Sequence, residues 1–328
     1  MARVDIVIVN WNGLRYLQPC LDALQAQTFR DYQVWIVDNG SIDGSPDFIR
    51  THYPAVSLLC LSHNKGFAHA NNQAIQRGDS EFVATLNNDT TADPMWLQTL
   101  VNALDAQPSA GVAASKMLFA NRPTIINTAG INIDRMGIAW DRAGGSVDDI
   151  QDVTPLPVFG ASAGAALYRR AMLNDIGVFD DDFFAYLEDV DLAWRAQWAG
   201  WQAVYVPASR VMHHHSATSG EGSPFKNRLL GRNKVWLIAK NYPLPYLWLY
   251  LPLIVFYDAA SVFYAVIARR ECSPWLGRLD GLRRLPYVLR HRRARIRRIG
   301  NSAMMRLLSP VDMPWRVLLR YRHLKPKG

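Results

Sequence analysis

Residues 4–41 read VDIVIVNWNGLRYLQPCLDALQAQTFRDYQVWIVDNGS, and this stretch decides the fold. Val4–Val9 is a β-branched run of strand type. A helical period near Tyr16–Ala26 then sets Leu17, Leu21 and Leu24 on one face, and Tyr32–Val37 is a second strand-like run. The alternation continues with a helix near Pro46–Tyr53, a strand at Val56–Leu61, a helix near Phe67–Arg77 and a strand at Phe82–Leu86. It closes with a helix near Pro94–Gln107 and a strand at Val112–Met117. Strands alternating with helices build an α/β, doubly wound and mostly parallel sheet. Ligands of such sheets sit beyond the carboxyl ends of the strands, so the residues that follow each strand are the ones to read.

Those residues are polar and acidic rather than glycine-rich: Asn10-Trp11-Asn12, Asp38-Asn39-Gly40-Ser41 and Asn87-Asn88-Asp89. No GxGxxG or GxxxxGK[ST] occurs. The backbone nest for a diphosphate is therefore missing, and a dinucleotide-dependent oxidoreductase lacks its fingerprint. A carboxylate-held divalent cation is the usual substitute, since Mg²⁺ takes few protein oxygens and fills its shell with phosphate and water.

The chain has 328 residues, 49% of them hydrophobic and 20% charged, enough for one large globular domain with an appendage or for two domains. Its formal charge of +8 divides unevenly. Residues 1–268 hold 19 Lys+Arg against 25 Asp+Glu, net −6, and residues 269–328 hold 17 against 3, net +14. A mildly acidic body with a basic tail points to a tail that meets phosphates, in nucleic acid or anionic lipid. Cys20, Cys60 and Cys272 are odd in number and far apart, which offers neither a disulfide framework nor a CxxC metal site and suits a reducing cytosol. The run after Met1 is too short for a signal-peptide core, so the first domain is expected to stay where it is made.

The stretch from about 118 to 240 is less periodic. It contains the small-residue run Phe159 to Gly164, a helix near Arg169–Ile176, the acidic group Glu188, Asp189 and Asp191, a strand-like Ala203–Val206 and His213-His214-His215. Gly160 and Gly164 permit close backbone approach by a ligand or form a plain tight turn. Each chemical group also has a structural reading. Asp89 is a turn or cap residue, the acidic trio is a first helical turn favoured by the macrodipole, and the histidines lie on a solvated loop.

Their order along the chain resembles glycosyltransferase family 2, in particular its bacterial rhamnosyltransferase-like members that build cell-surface polysaccharide. The resemblance runs from Val4 to about Pro243. It rests on Ile8-Val9-Asn10-Trp11-Asn12-Gly13, Val37-Asp38-Asn39-Gly40-Ser41, Asn64-Lys65-Gly66-Phe67 with Asn71-Asn72, and Leu86-Asn87-Asn88-Asp89-Thr90. Phe184-Ala185-Tyr186-Leu187-Glu188-Asp189-Val190-Asp191-Leu192, His213 and Arg232-Asn233 complete it. It implies a GT-A fold and an inverting transfer of one sugar from a nucleoside-diphosphate donor, dTDP-L-rhamnose before UDP-hexoses. Asp38 would meet the nucleobase, flanked by Asn10, Trp11 and Asn12, with Asn64, Gly66, Asn87 and Asn88 also on the donor. Asp89 and His213 would hold Mg²⁺ or Mn²⁺, with Asn87 standing where the family has the first Asp of its DxD motif, and His214 and His215 bystanders. Asp189 would be the base for the acceptor hydroxyl, with Glu188 orienting substrate or base. The implied division is a transferase domain over 1–240, split into a donor half (1–117) and an acceptor half (118–240), followed by a helical region over 241–328. The rival class is a catalytically inactive scaffold that keeps the fold as a membrane platform.

Leu247–Ile267 is 21 residues long and nearly all apolar, long enough to span a bilayer, with Asp258 at its centre. A single span would separate a cytosolic donor site from a basic tail that also belongs in the cytosol. The expectation is therefore an interfacial or re-entrant hairpin bent at Pro252, on the cytoplasmic face of the inner or plasma membrane. Arg283-Arg284 and Arg290 to Arg298 would then face anionic lipid or the diphosphate of a polyprenyl-linked saccharide acceptor. The alternative is a buried hairpin in a soluble protein with the Arg-rich helix on RNA; nucleic acid is the disfavoured partner.

Overall fold

A computed structural model of the chain describes residues 2–149, 154–214, 223–292 and 296–313. The loop carrying His215, Ser216, Thr218, Ser219 and Gly220 lies outside the described residues. The first part alternates as the sequence predicts: β1 (Val4–Asn10), α1 (Leu14–Gln25), β2 (Tyr32–Asp38), α2 (Ser45–His52), β3 (Ser57–Cys60), α3 (Phe67–Ile75) and β4 (Phe82–Asn87). After β5 (Thr90–Ala92) come α4 (Trp96–Ala106) and β6 (Ala110–Phe119). The stretch after β6 adds β7 (Arg122–Thr128), β8 (Ile131–Ile133), β9 (Ala139–Asp141), β10 (Leu156–Val158), β11 (Ala165–Arg169), α5 (Arg170–Ile176), α6 (Glu188–Trp198) and β12 (Gln202–His213).

The main sheet runs β10-β12-β6-β11-β4-β1-β2-β3. Its β3-β2-β1-β4 portion is parallel, as is the β6/β12 pair. The short β11 lies antiparallel between β4 and β6 and joins the two portions into one sheet. Period-two alternation in β1 divides its side chains between two cores. Val4, Ile6 and Ile8 join Leu17, Leu21 and Leu24 of α1 and Leu97 and Leu100 of α4, whereas Val7 joins Ala70 and Ala74 of α3 and Met172 of α5. Both faces are covered, the condition under which parallel sheets are stable.

The C-terminal part is helical: α7 (Pro224–Asn241), α8 (Leu244–Arg269), α9 (Ser273–Arg283), α10 (Leu285–Arg292) and α11 (Asn301–Leu307). The expected bend at Pro252 does not occur; α8 continues through it, and the chain reverses after the left-handed Arg270 (φ 52°). The carbonyl that Pro252 leaves without its helical donor is that of Trp248, which is 72% exposed, so water or headgroups can satisfy it. α9 returns against α7 at close range. A Cβ on Gly277 would stand 2.1 Å from the Arg228 carbonyl oxygen, and one on Gly231 2.6 Å from that of Pro274. A third core continues across residue 240, for Trp194, Trp198 and Trp236 pack with Ile254, Val288, Met304, Met305 and Leu308.

Candidate active site

The ends of β1, β2 and β4 meet in one polar knot. Asn10 is fully buried; its Nδ2 donates to Asp38 Oδ1 at 3.0 Å and Ser41 Oγ at 3.2 Å, and its Oδ1 accepts from Asn88 Nδ2 at 2.8 Å. The second Asp38 oxygen accepts from the Ser41 amide at 2.9 Å, and Asp38 is 2% exposed. In this structure Asp38 thus faces its own loop, and further acceptor capacity rests on the remaining lone pairs of its two oxygens. Asn12, at φ 50°, binds the next turn through its side chain: its Oδ1 accepts from the Ile42 amide at 2.9 Å. Trp11 is exposed beside this knot. Asn64 Oδ1 accepts from the Gly66 amide at 2.9 Å and from Asn39 Nδ2 at 3.0 Å, tying the α3 entry to the end of β2.

Gly66 sits at φ +92°, where a Cβ would come within 2.5 Å of the Phe184 carbonyl oxygen. That carbonyl accepts from the Ala68 amide at 3.1 Å, one of the orphan donors of the first turn of α3. The requirement for glycine therefore comes from the segment that precedes Glu188, which stacks directly on the donor-side loop.

On the β4 side, Asp89 is 5% exposed and His213, at the end of β12, is 8% exposed. His213 Nδ1 lies 2.7 Å from Asn127 Oδ1, an acceptor, which assigns the proton to Nδ1. Nε2 then presents a lone pair to Asp89 Oδ1 at 3.3 Å and to Asn87 Nδ2 at 3.4 Å. A carboxylate oxygen and an imidazole lone pair this close suit a shared cation, with Asn127 as the outer partner that fixes the ring. Desolvation pushes the Asp89 carboxyl up; with a proton on Nε2 as well, His213 would instead donate to Asp89, and that hydrogen bond and charge would outweigh the desolvation and hold the carboxyl below the usual carboxylate range. Among the described residues no cluster of three or more His, Cys, Asp or Glu that could hold a metal ion is present, and Asp89 and His213 are the pair that could share one. His214 is exposed, and its amide donates to the Asp89 carbonyl at 3.0 Å.

The turn Ala161–Gly164 bridges from there to the acidic pair. The Gly164 carbonyl accepts from the Asn87 amide at 2.9 Å, and the Ala163 amide donates to Asp189 Oδ2 at 3.2 Å. Asp189 Oδ1 accepts from the Val190 amide at 2.8 Å. Burial pushes the Asp189 carboxyl up to about 6, against the two amide bonds that lower it, with Asp141 raising it further. Glu188 is 6% exposed, and its Oε2 has no hydrogen-bond partner. Burial first, and the charge of Asp189 second, hold its carboxyl well above the ordinary range. Two adjacent acids thus share one buried site, each with its carboxyl held above the ordinary range. Asp191 is set apart: fully buried, it pairs with Arg195 Nε at 2.8 Å and accepts from Asn241 Nδ2 at 2.7 Å, a structural role. Sequence reasoning missed Asn127 and Ala163. Asn127 carries no local signal, because it works through His213, 86 residues away; Ala163 lies in the small-residue run that the sequence singled out, but its bond to Asp189, 26 residues on, has no local sign.

The profile of glycosyl transferase family 2 matches residues 5–177. The chain is 30% identical over 239 residues to the N-acetylglucosaminyl-diphospho-decaprenol L-rhamnosyltransferase of Mycobacterium tuberculosis (strain H37Rv), across 66% of this chain and 78% of that protein. It is also 30% identical over 222 residues to the pre-mycofactocin glycosyltransferase of the same organism, across 64% of this chain and 43% of the other. Among solved structures it resembles the mannosyltransferase PcManGT from Pyrobaculum calidifontis in complex with GDP-Man and Mn²⁺. That match has a TM-score of 0.53 and 18% identity, and covers 97% of this chain and 78% of that one. GalNAc-T7 with UDP, GalNAc and Mn²⁺ matches with a TM-score of 0.56 and 16% identity, over 73% of this chain and 50% of that one. At such identities the structural likenesses show the shared GT-A fold.

Proposed function

The chain belongs to glycosyl transferase family 2 and is a glycosyltransferase; from that membership we propose that it is an inverting enzyme that transfers L-rhamnose from dTDP-L-rhamnose to a hydroxyl of a polyprenyl-diphosphate-linked saccharide during cell-surface polysaccharide synthesis. The printed name of the mycobacterial relative supports both the sugar and the lipid-linked acceptor. One observation carries the catalytic part. A single turn, Ala161–Gly164, bonds Asn87 two residues before Asp89 on one side and Asp189 on the other, so cation site and base border one space.

In this reading the Asn10, Trp11, Asn12, Asp38, Asn64, Gly66, Asn87 and Asn88 group receives the nucleotide sugar. Asp89 and His213 hold the divalent ion, Mg²⁺ or Mn²⁺, which when bound supplies positive charge to the departing nucleoside diphosphate. An acceptor hydroxyl is far too weak an acid to ionise at neutral pH, so Asp189 takes its proton as the new bond forms. Two amide donors aim the Asp189 oxygens, and its raised pKa makes it a stronger base than an ordinary carboxylate. Glu188, buried beside Asp189 with an Oε2 that makes no hydrogen bond to the protein, is assigned to orienting the substrate.

We assign 1–240 to catalysis, with 1–117 on the donor and 118–240 on the acceptor, and 241–328 to attachment at the cytoplasmic face of the inner membrane. The assignment follows role, since the third core is common to both parts. α8 is 26 residues long with mean hydropathy 1.9 over its most apolar window, only 11% of which is buried. Trp248, Leu249, Phe256, Phe263 and Ile267 point outward. Its one carboxylate, Asp258, turns inward to Lys234 of α7 at 2.8 Å and to Arg278 of α9 at 2.9 and 3.0 Å. A helix tied at mid-length to the catalytic body suits lying on the bilayer with the basic tail beside anionic lipid. The reading is tested with a panel of nucleotide sugars, scoring thermal shift and nucleoside diphosphate release with Mg²⁺ or Mn²⁺. dTDP-L-rhamnose should give the largest response; a response confined to UDP-hexoses would refute the donor.

A further inference from the structure

The turn that delivers Glu188 and Asp189 is strained. Phe184 (φ 64°, ψ −67°), Tyr186 (φ 69°) and Leu187 (φ 67°) all occupy the left half of backbone space without being glycine. Each such residue costs on the order of 1–3 kcal/mol and persists only where neighbouring structure imposes it. The imposing structure is one turn of α7. Asn233 is fully buried, and its Nδ2 donates to the carbonyls of Phe183 at 3.0 Å, Ala185 at 2.9 Å and Tyr186 at 2.7 Å. Arg232 Nη2 donates to the carbonyls of Asp182 at 3.0 Å and Phe183 at 2.7 Å. Arg232 Nε also donates to Asn233 Oδ1 at 2.9 Å, which fixes the amide so that its hydrogens face the turn. The guanidinium itself is seated over the Trp236 ring at 4.4 Å. From the opposite side the turn is held by Gly66 and the Ala68 amide at the Phe184 carbonyl.

We propose that Asn233, with its orientation set by Arg232, is a positioning residue for Asp189: it clamps the strained 183–187 turn so that the carboxylate stands at the acceptor hydroxyl. This rests on the reading of Asp189 as the base. Five contacts from two consecutive side chains converge on four carbonyls of residues 182–186, where the backbone's own pairing is limited to the 3₁₀ turn at Asp181–Phe183 and single bonds beside it, so the clamp adds the ties that set the shape of the segment. Removing the Asn233 amide takes a donor from the Ala185 and Tyr186 carbonyls, while Phe183 keeps Arg232 and the Ala185 amide, and lets Phe184, Tyr186 and Leu187 relax to negative φ. Such a relaxation moves the start of α6 and swings Asp189 off the Ala163 amide. The donor knot, built from β1, β2 and β4, is untouched.

The test is steady-state kinetics of full-length Asn233→Ala and Arg232→Lys beside Asp189→Asn, with turnover expressed per folded molecule and with hydrogen exchange of the peptide covering 183–190. Asn233→Ala should lower kcat by roughly 10–100-fold, leave the donor KM within about twofold, displace the acid limb of the kcat–pH profile and speed exchange in that peptide. Arg232→Lys keeps the charge, loses the fork and should give a smaller change in the same direction, which keeps the test informative where Asn233→Ala does not fold. Wild-type kcat per folded molecule together with an unmoved pH limb in both variants overturns the proposal, provided Asp189→Asn is inactive. If Asp189→Asn is itself active, the reading of the base fails instead, and the two failures are told apart by that one variant.

Discussion

Asp189→Asn should make the protein less active and, at neutral pH, more stable. The variant keeps the shape of the side chain and an acceptor for the Val190 amide, and loses both the negative charge and the acceptor for the Ala163 amide. With its carboxyl held near 6 against an ordinary 3.8, Asp189 binds its proton more tightly folded than unfolded. Below the unfolded value both states are protonated and the residue is without cost. As pH rises through 4 to 6 the unfolded state releases its proton first, and above 6 the full penalty is in place, about 3 kcal/mol at ~1.4 kcal/mol per unit. Leaving the Ala163 amide without its acceptor costs about 1 kcal/mol. The expected balance is a gain of about 2 kcal/mol at pH 7.5 and a loss of about 1 kcal/mol at pH 3, below the unfolded value. Urea unfolding at both pH values measures it. Turnover should fall by roughly 10²–10⁴-fold with donor affinity unchanged. Retention of more than about a tenth of wild-type turnover refutes the base, and a stability difference that does not change with pH refutes the raised carboxyl.

Asp89→Ala and His213→Ala should abolish metal-dependent donor binding, and Asn127→Ala should weaken it by about 10–100-fold by releasing the imidazole, as read by calorimetry; equal wild-type donor affinity with and without EDTA would sink the cation site. Gly66→Ala should cost at least about 2 kcal/mol and lower turnover, because φ +92° disfavours any side chain and the methyl would meet the Phe184 carbonyl; an unchanged urea midpoint is the contrary result. Glu at Trp248, Phe256 and Phe263 should release the protein from anionic vesicles in a sedimentation assay while sparing turnover on a soluble acceptor analogue. In a Cys60→Ser background, a membrane-impermeant thiol reagent should reach the exposed Cys272 in inside-out vesicles and not in intact cells, the reverse outcome meaning a span.

The alternation from Val4 to Phe119 was legible because both periods are strong there and both faces of the sheet are covered. β8, β9 and β10 were not: each is three residues long, too short to show an alternation, and β10 contains Pro157 at the sheet edge. The donor loops could be read from the rule that strand ends carry the ligand. The clamp could not be read, although Arg232-Asn233 stood out as a pair, because its partners lie 47 to 50 residues earlier and are carbonyls, which every residue possesses. Similarly, the inward turn of Asp258 depends on Lys234 and Arg278, and an isolated apolar run with a charge at its centre gives no sign of them.

The core common to both sides of residue 240 bears on how the proposed membrane attachment can be tested by shortening the chain. Deleting everything from Leu244 onward is the obvious route, and it would strip Ile254, Val288, Met304, Met305 and Leu308 from Trp194, Trp198 and Trp236. The same cluster contains Phe183, where the strained turn begins, and Val190, the neighbour of Asp189. A shortened chain would therefore open a hydrophobic wound one residue from Asp189, the proposed base, and low activity in such a preparation would say nothing about the need for a membrane. Repainting the outward face of α8 with polar side chains leaves that cluster closed and separates the question of solubility from that of catalysis.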